Sequence, residues 1–406
     1  MNPQHWQAGQ RLTQAFMAVV LAIALGLTSC AIPQVQAEDR LFLPLAVDVL
    51  GHYQLPATVV DDTPVGGLSG ITYDRQRDRF YAISDDRSIL APARFYTLKM
   101  AIGTDGEGTP TLDHVTVENV TLLHNREGEL FAANSIDPEG IALSPRSSVF
   151  ISSEGIAWQD APPSVQEFDL ETGEWLSQLP IPDRYLPQDV DDQPQGVRDN
   201  LGFEALTINP GGYSTAWLEP FRLFVATESA LHQDLQPSQT TSELERLLND
   251  DPDSTQSRNR FLHYLVGDGQ STLIAEHLYL LDTDPPNTVI NGLVELITLD
   301  QAGHFLSLER TFGLAGFGAT LFQLATGSAT DISGLESLSA SVDGIEAIRK
   351  QPLFDLATLD LTLDNLEGMT LGPRLPDGSQ SLILISDDNF DEAQVTQILV
   401  LRLRQA

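Results

Sequence analysis

Acidic side chains recur at two fixed places in a repeated unit of two short apolar strands. A Glu opens the first strand and acids close the second, with a turn rich in Gly, Pro and Asp between them. The opening acids are Glu139, Glu204, Glu295 and Glu367. The closing acids include Asp85, Glu154, Glu228, Glu309 and Asp387. Because the start of one antiparallel strand lies beside the end of the next, we expect these carboxylates to meet at one end of the folded unit.

Such a group of carboxylates favours a hard cation. Carboxylates that meet in one place cannot all stay ionised unless cations neutralise them or some take up protons. Oxygen ligands favour Ca²⁺ or Mg²⁺ over zinc, and the 8 His form no His-x-x-x-His pair. The sequence therefore predicts a Ca²⁺ site built from Asp85, Glu139, Glu204, Glu228, Glu295, Glu367 and Asp387. The alternative is structural, with each acid accepting hydrogen bonds from the backbone of the next repeat.

The same residues suggest how a reaction could be catalysed. The chain has no Gly-x-Ser-x-Gly elbow and no phosphate-binding Gly-Lys-Ser loop, which disfavours a serine nucleophile. Glu139 or Glu367 could take a proton from an attacking water and is predicted to be catalytic. Basic residues near the same end are few, and Arg310 is one of them. Three others are predicted to bind substrate phosphate or carboxylate groups: Arg87, Arg94 and Arg198. Salt bridges to neighbouring acids are the alternative for each.

Five copies of the unit occur, with Ser69 replacing the opening Glu in the first. Each copy is followed by two further strand-like segments, except the last, which has one. An isolated strand at Val47–Leu55 can supply the missing one by pairing with Gln397–Leu403. The sequence thus predicts an all-β fold, a β-propeller of four-stranded blades closed by an N-terminal strand. Five blades are expected, or six if Asp331–Val342 contains a degenerate blade. A pair of β-sandwich domains is the other alternative.

The N-terminal region is typical of an export signal. An apolar run, Ala15 to Leu27, follows Arg11 and is too short to span a bilayer as a mature helix. It ends in Leu27-Thr28-Ser29-Cys30, which resembles a bacterial lipobox. We expect residues 1–29 to be a signal peptide, Cys30 to be lipidated, residues 30–45 to be a tether and residues 46–406 to be the propeller domain. The protein would then be anchored to the membrane, facing the periplasm or the exterior. Cleavage after Ala37 and ordinary secretion is the alternative.

The charge balance limits the partners. The chain has 22 Lys and Arg against 57 Asp and Glu, a net charge of −35. Such a surface repels nucleic acid and anionic membranes, so we expect no nucleic-acid partner and membrane contact only through the lipid anchor. The acids could also serve solubility alone. We expect a monomer.

Several segments together resemble the phytase-like β-propeller family, described as having esterase-like activity of phytase. The most specific are Asn365-Leu366-Glu367-Gly368-Met369 and Ser386-Asp387-Asp388-Asn389-Phe390, and the resemblance spans about residues 60–403. It implies a propeller and suggests Ca²⁺-assisted hydrolysis of a small phosphorylated or ester substrate. A non-catalytic exported propeller that binds a ligand or a protein is the alternative.

Overall fold

The computed structural model describes residues 41–104, 110–159, 161–209, 219–236, 256–283, 285 and 288–405. Residues 43–406 belong to one compact unit. It consists of five four-stranded antiparallel sheets and two short hairpins. The innermost strand of each sheet contacts the innermost strands of the two neighbouring sheets, so that the sheets form a closed ring. The prediction of a five-bladed β-propeller is confirmed, and the alternatives of six blades and of two sandwiches are wrong.

The first four blades each use four consecutive long strands, ordered from the centre outward in blades I, II, III and IV. Blade I contains β4 (Leu68–Asp74), β5 (Arg79–Ser84), β6 (Arg94–Thr104) and β7 (Pro110–Leu122). Blade II contains β8 (Pro138–Leu143), β9 (Ser148–Ser153), β10 (Ser164–Asp169) and β11 (Trp175–Gln178). Blade III contains β14 (Phe203–Ile208), β15 (Phe221–Thr227), β16 (Arg258–Val266) and β17 (Ser271–Leu280). Blade IV contains β18 (Thr288–Thr298), β19 (His304–Gly313), β20 (Gly316–Ala325) and β21 (Arg349–Asp355).

Blade V is completed by a strand from the other end of the domain. It contains β22 (Asn365–Arg374), β23 (Gln380–Asp387), β24 (Gln397–Gln405) and, outermost, β1 (Leu45–Gln54). The pairing runs from Val47 opposite Leu403 to Gln54 opposite Gln397. The predicted ring closure is therefore confirmed. Two short hairpins precede blades I and III: β2 (Thr58–Val60) with β3 (Thr63–Val65), and β12 (Gln188–Val190) with β13 (Gln193–Gln195).

The core lies between the blades. Five apolar clusters fill the five interfaces between neighbouring sheets. Phe150 and Phe221, for example, meet between blades II and III, and Phe224 and Phe305 meet between blades III and IV. Because each sheet is covered on both faces, its inner strands are almost continuously apolar rather than alternating. This packing holds the ends of the inner strands around a common centre.

Asp331–Val342, the candidate sixth blade, consists of turns against blade III. Ile332 and Leu338 pack on Leu278, and the Ile332 N–H donates to the Glu276 carbonyl at 2.8 Å. The leader, Cys30 and most of the tether lie outside the described residues. So do residues 242–248, where the sequence Ser-Glu-Leu-Glu-Arg-Leu-Leu predicts a short helix. Within the described part of the chain, no helix has both the length and the apolar character needed to cross a membrane.

Candidate functional site

A β-bulge interrupts the pairing of the two inner strands near the same end of every blade. Bulges place an extra residue on one strand and re-aim its side chain. The bulged positions of the five blades in order contain Ser69, Glu139, Glu204, Val294 and Glu367. Three of the five blades therefore present a Glu from this position.

The residue of the second inner strand that lies beside the bulge is charged in every blade. It lies at the end of that strand in blades I, II, III and V, whereas β19 of blade IV continues to Gly313. Read from the strand pairing, this position contains Asp85, Glu154, Glu228, Arg310 and Asp387 in blades I to V. All five line a cavity of about 530 Å³ at one mouth of the central channel. Five further acids also line it: Asp86, Asp137, Glu139, Glu204 and Glu367. Six of the seven predicted metal ligands thus come together.

Glu295 is the seventh, and the structure places it apart from the cavity lining. It lies one residue beyond the bulge, which Val294 occupies in blade IV. Its buried carboxylate accepts the N–H of Leu206 at 3.2 Å and that of Leu296 at 2.9 Å, and it also bonds to the N–H of Met369. Burial raises the pKa of Glu295, although these N–H donors oppose the shift. The side chain links the backbones of blades III, IV and V, which was the structural alternative for this class of acid.

Two overlapping triads of carboxylates have the spacing of a cation site. In each triad one oxygen per residue lies within 4.8 Å of the other two: Asp137 with Glu139 and Glu154, and Glu154 with Glu204 and Glu228. Asp137 Oδ2 is buried and has no hydrogen-bond partner among the described residues. The predicted ligand set omits Asp137 and Glu154. The signal for Glu154 was available, because it closes its repeat at the same position as Asp387.

Burial and mutual repulsion perturb these carboxyl groups strongly. Burial raises the pKa of Asp85, Glu139, Glu154 and Glu204 well above the ordinary values, and neighbouring carboxylates add to the effect. Burial also raises the pKa of Glu367 to about 8, although Arg310 opposes the shift, and that of Asp387 to about 6. A cation in the cavity would let these groups ionise at neutral pH.

The four arginines near the mouth have different roles. Arg310 is buried, and its guanidinium lies 3.2 Å from Glu228 and 3.1 Å from Glu367. Arg87 lines the cavity, donates to Asp137 and Asn200 at 2.7 Å each and keeps 23% of its side chain exposed.

Arg94 and Arg198 do not line the cavity. Arg94 is fully buried and pairs with Asp86 at 2.8 Å. Arg198 donates to the Ala230 carbonyl and to Ser229. Of the three arginines predicted to bind substrate, the structure places only Arg87 at the cavity.

The sequence from residue 63 to residue 390, which contains both inner strands of every blade, matches the phytase-like family, described as "Esterase-like activity of phytase". The chain belongs to this family. A search of curated proteins found no match. The matched range contains every residue that lines the acidic cavity of this phytase-like propeller, from Asp85 to Phe390.

The solved structures whose backbones resemble this one have very different sequences. A calcium-binding regucalcin from Agrobacterium tumefaciens is 10% identical, with 86% of this chain and 95% of that chain covered and a TM-score of 0.35. The catalytic domain of an α-L-arabinofuranosidase from Coprinopsis cinerea is 9% identical, with 89% and 97% covered and a TM-score of 0.35. A Bacteroides vulgatus protein is 9% identical, with 89% and 99% covered and a TM-score of 0.33. Similarity at this level carries no information about the activity of the phytase-like propeller.

Proposed function

We propose that this propeller is a Ca²⁺-assisted hydrolase of phosphoesters, acting in the acidic cavity at the channel mouth. The observation that carries the proposal is the pair of carboxylate triads that share Glu154, inside a domain of the phytase-like family. Family membership supports an esterase-like hydrolase. The cation, the substrate class and the catalytic residues are our proposal.

The donor set fits calcium. All candidate ligands are carboxylate oxygens, which Ca²⁺ prefers and which zinc sites rarely use alone. Asp137 Oδ2 is buried and has no hydrogen-bond partner in the part of the chain that the structure describes, so a cation would supply one. Asp137, Glu139, Glu154, Glu204 and Glu228 would hold the ion or ions. When bound, Ca²⁺ would supply positive charge for phosphoryl oxygens and acidify a water molecule.

Two side chains of the cavity have properties suited to the reaction. Arg87 is partly exposed and already oriented by Asp137 and Asn200, so it can hold a phosphoryl oxygen without losing its position. Burial raises the pKa of Glu367 to about 8, and a cation in the cavity would lower it, so that the ionised carboxylate needed to accept a proton is present near neutral pH. In the proposed reaction the oxygen of water bonds to phosphorus and its proton passes to Glu367. The bond between phosphorus and the alcohol oxygen breaks, and the alkoxide takes a proton from a water molecule as it leaves. Glu367 then returns its own proton to solvent. A catalytic role for Glu139 stays a prediction, because it also belongs to one of the triads.

The test combines a thermal melt with an activity assay of the full chain. A ligand that binds only the folded state stabilises it by about 2.7 kcal/mol at a hundredfold excess over Kd, so calcium should raise Tm by several degrees and a chelator should reverse the shift. Release of phosphate from 4-nitrophenyl phosphate should depend on calcium in the same way. Glu154→Gln should abolish the calcium shift, because Glu154 belongs to both triads.

Glu295→Gln is the matched control. It also removes one buried carboxylate from an inner strand, but it lies outside the cavity lining, so the calcium shift should persist. Loss of the shift in Glu295→Gln would support the ligand role predicted for Glu295. A wild-type melt indifferent to calcium and chelator would refute the metal site. A calcium shift without any phosphate release would favour the non-catalytic binding propeller.

A further inference from the structure

The cavity has an apolar lip that the proposed reaction does not use. Ile89 and Leu90 line the cavity from the loop after β5. Their side chains are 62% and 56% exposed, although both residues are large and apolar. Phe390, from the loop after β23, lines the same cavity. Blades I and V therefore contribute apolar side chains, whereas the carboxylate triads come from blades II and III.

The Ile89 loop is held rigidly although its apolar side chains face solvent. The Asp86 carboxylate accepts the N–H groups of Ile89, Leu90 and Ala91 at 2.8, 3.1 and 2.8 Å. Asp86 is in turn fixed by its buried ion pair with Arg94. Holding two apolar side chains in water buries no apolar surface and so does not stabilise the fold. Contact with a ligand explains better why the backbone fixes them there. Arg94, predicted to bind substrate, instead holds this loop in place.

Phe390 is held in a strained conformation at the same lip. Its φ of 51° is in the left-handed region, which bulky side chains rarely adopt. The ring occupies space left by two glycines, since a Cβ at Gly66 would lie 2.9 Å from it and one at Gly67 would lie 2.5 Å from it. Strain of this kind persists where the surroundings enforce it and is concentrated at functional sites.

The charges of the cavity are unsuited to a substrate with many negative groups. Among its described lining residues the cationic side chains are Arg87 and Arg310, and both are paired with carboxylates. Acids dominate the rest of the lining. One phosphoryl group can be held by Arg87 and a bound cation, but further phosphates on the same molecule would face carboxylates.

We propose that the substrate is an amphiphilic phosphomonoester, with one phosphate group in the acidic cavity and an apolar alcohol portion on the lip formed by Ile89, Leu90 and Phe390. The proposal rests on the function proposed above and narrows its substrate class. A polyol carrying several phosphates is the substrate that this arrangement disfavours.

The test uses a series of alkyl phosphates and alkylphosphonates from ethyl to hexyl, with the full chain and calcium. Full burial of one methylene is worth roughly a fourfold gain in binding, and the lip is open on one side. We therefore expect kcat/KM for the phosphates, and affinity for the phosphonates measured by calorimetry, to rise at least tenfold from ethyl to hexyl. Inositol hexakisphosphate should be hydrolysed more slowly than hexyl phosphate.

Variants at the lip should remove the dependence on chain length. Ile89→Ser and Leu90→Ser should each flatten the rise in phosphonate affinity, because they remove apolar surface from the lip. Leu176→Ser changes another exposed leucine, with 47% of the side chain exposed, on the outermost strand of blade II and should keep the full rise.

The two proposals fail in different ways. A phosphonate affinity that does not increase with chain length, or that increases equally in the lip variants, would overturn the amphiphilic substrate. Phosphonate binding that follows chain length while no phosphate ester is hydrolysed would support the ligand class and refute the proposed catalysis.

Discussion

Arg310 shows how one residue changes a ring of otherwise similar positions. It occupies, in blade IV, the place that an acid occupies in the four other blades. Its guanidinium lies between Glu228 and Glu367, whose pKa values it lowers against the effect of burial. The protein thus offsets the negative charge of Glu228 in blade III and of Glu367 in blade V with its own cation. Three triad carboxylates form no ion pair among the described residues, and their charge is open to an external cation: Glu139, Glu154 and Glu204.

The perturbed carboxyl groups predict a dependence of stability on pH in the absence of calcium. Folding raises the pKa of Glu367 from 4.5 to about 8 and those of Asp137 and Asp387 from 3.8 to about 6. Because the folded pKa is the higher one, this contribution to stability is fully present below about pH 4 and is lost as pH rises to 8. Melts with a chelator should therefore show Tm falling between pH 5 and pH 8.

Calcium and one substitution provide the controls for this pH dependence. Added calcium should reduce the fall in Tm, because it stabilises the ionised carboxylates. Glu367→Gln should also reduce it, because it removes the group with a pKa near 8. A Tm that is constant or rises over this pH range in the presence of the chelator would contradict the raised pKa values of these carboxyl groups.

The positions of individual side chains are also harder to predict from the sequence than the fold. Val294-Glu295-Leu296 has the same pattern as Phe203-Glu204-Ala205, so a pattern alone aligns Glu295 with the cavity acids. The position of the bulge decides otherwise, and a shift of one residue along a strand re-aims every side chain. The sequence also does not show that Arg94 lies away from the cavity. Its position near Asp86 in the chain does not reveal that both side chains are buried.

At the level of elements, the strands could be predicted because each has two covered faces. Their apolar runs are short, are bounded by turn residues and recur with the repeat. The run at Arg79–Ser84, for example, predicts a strand with the bounds that β5 has in the structure. The ends of several strands extend further than the apolar pattern, as in β19, where a polar pair, Arg310 and Thr311, continues the pairing. Backbone hydrogen bonds with a neighbouring strand keep such polar segments extended, and these bonds cannot be predicted from the pattern of apolar residues.

The outer strand β1 is predicted to contribute more to stability than an exposed hairpin of similar length. It pairs with β24 along its whole length and carries Asp48, which bonds to Arg402 and Arg404. Deleting residues 45–56 should lower Tm, because it leaves the edge of β24 unpaired and uncovers apolar side chains of blade V.

Replacing residues 188–195 by a short Gly-Ser linker is the comparison for that deletion. This segment contains the hairpin of β12 and β13, most of which is exposed. Its removal should change Tm less. Equal losses in the two variants would show that ring closure is not the dominant contribution of β1.

For the whole molecule, we propose export and attachment to a membrane through a lipid on Cys30. The basis is the apolar run from Ala15 to Leu27 and the lipobox-like segment after it. In the native host, Cys30→Ala should leave the protein unprocessed or move it from the membrane fraction to the soluble fraction. Mass spectrometry of the natural protein should find a lipid-modified N-terminus at Cys30. A mature chain beginning at Glu38 would instead indicate ordinary secretion.

The strand that closes the ring also determines the order in which the molecule can fold. Asp48 and its partner Arg404 are 356 residues apart, so β1 leaves the ribosome first and finds its partner last. Closing so long a loop costs about 0.6 kcal/mol for each doubling of length, relative to the hairpins within a blade. Until then β24 presents a free edge, to which the β1 strand of a second chain can pair as readily as its own. A strand-exchanged dimer is therefore the characteristic misassembly of this architecture at high protein concentration.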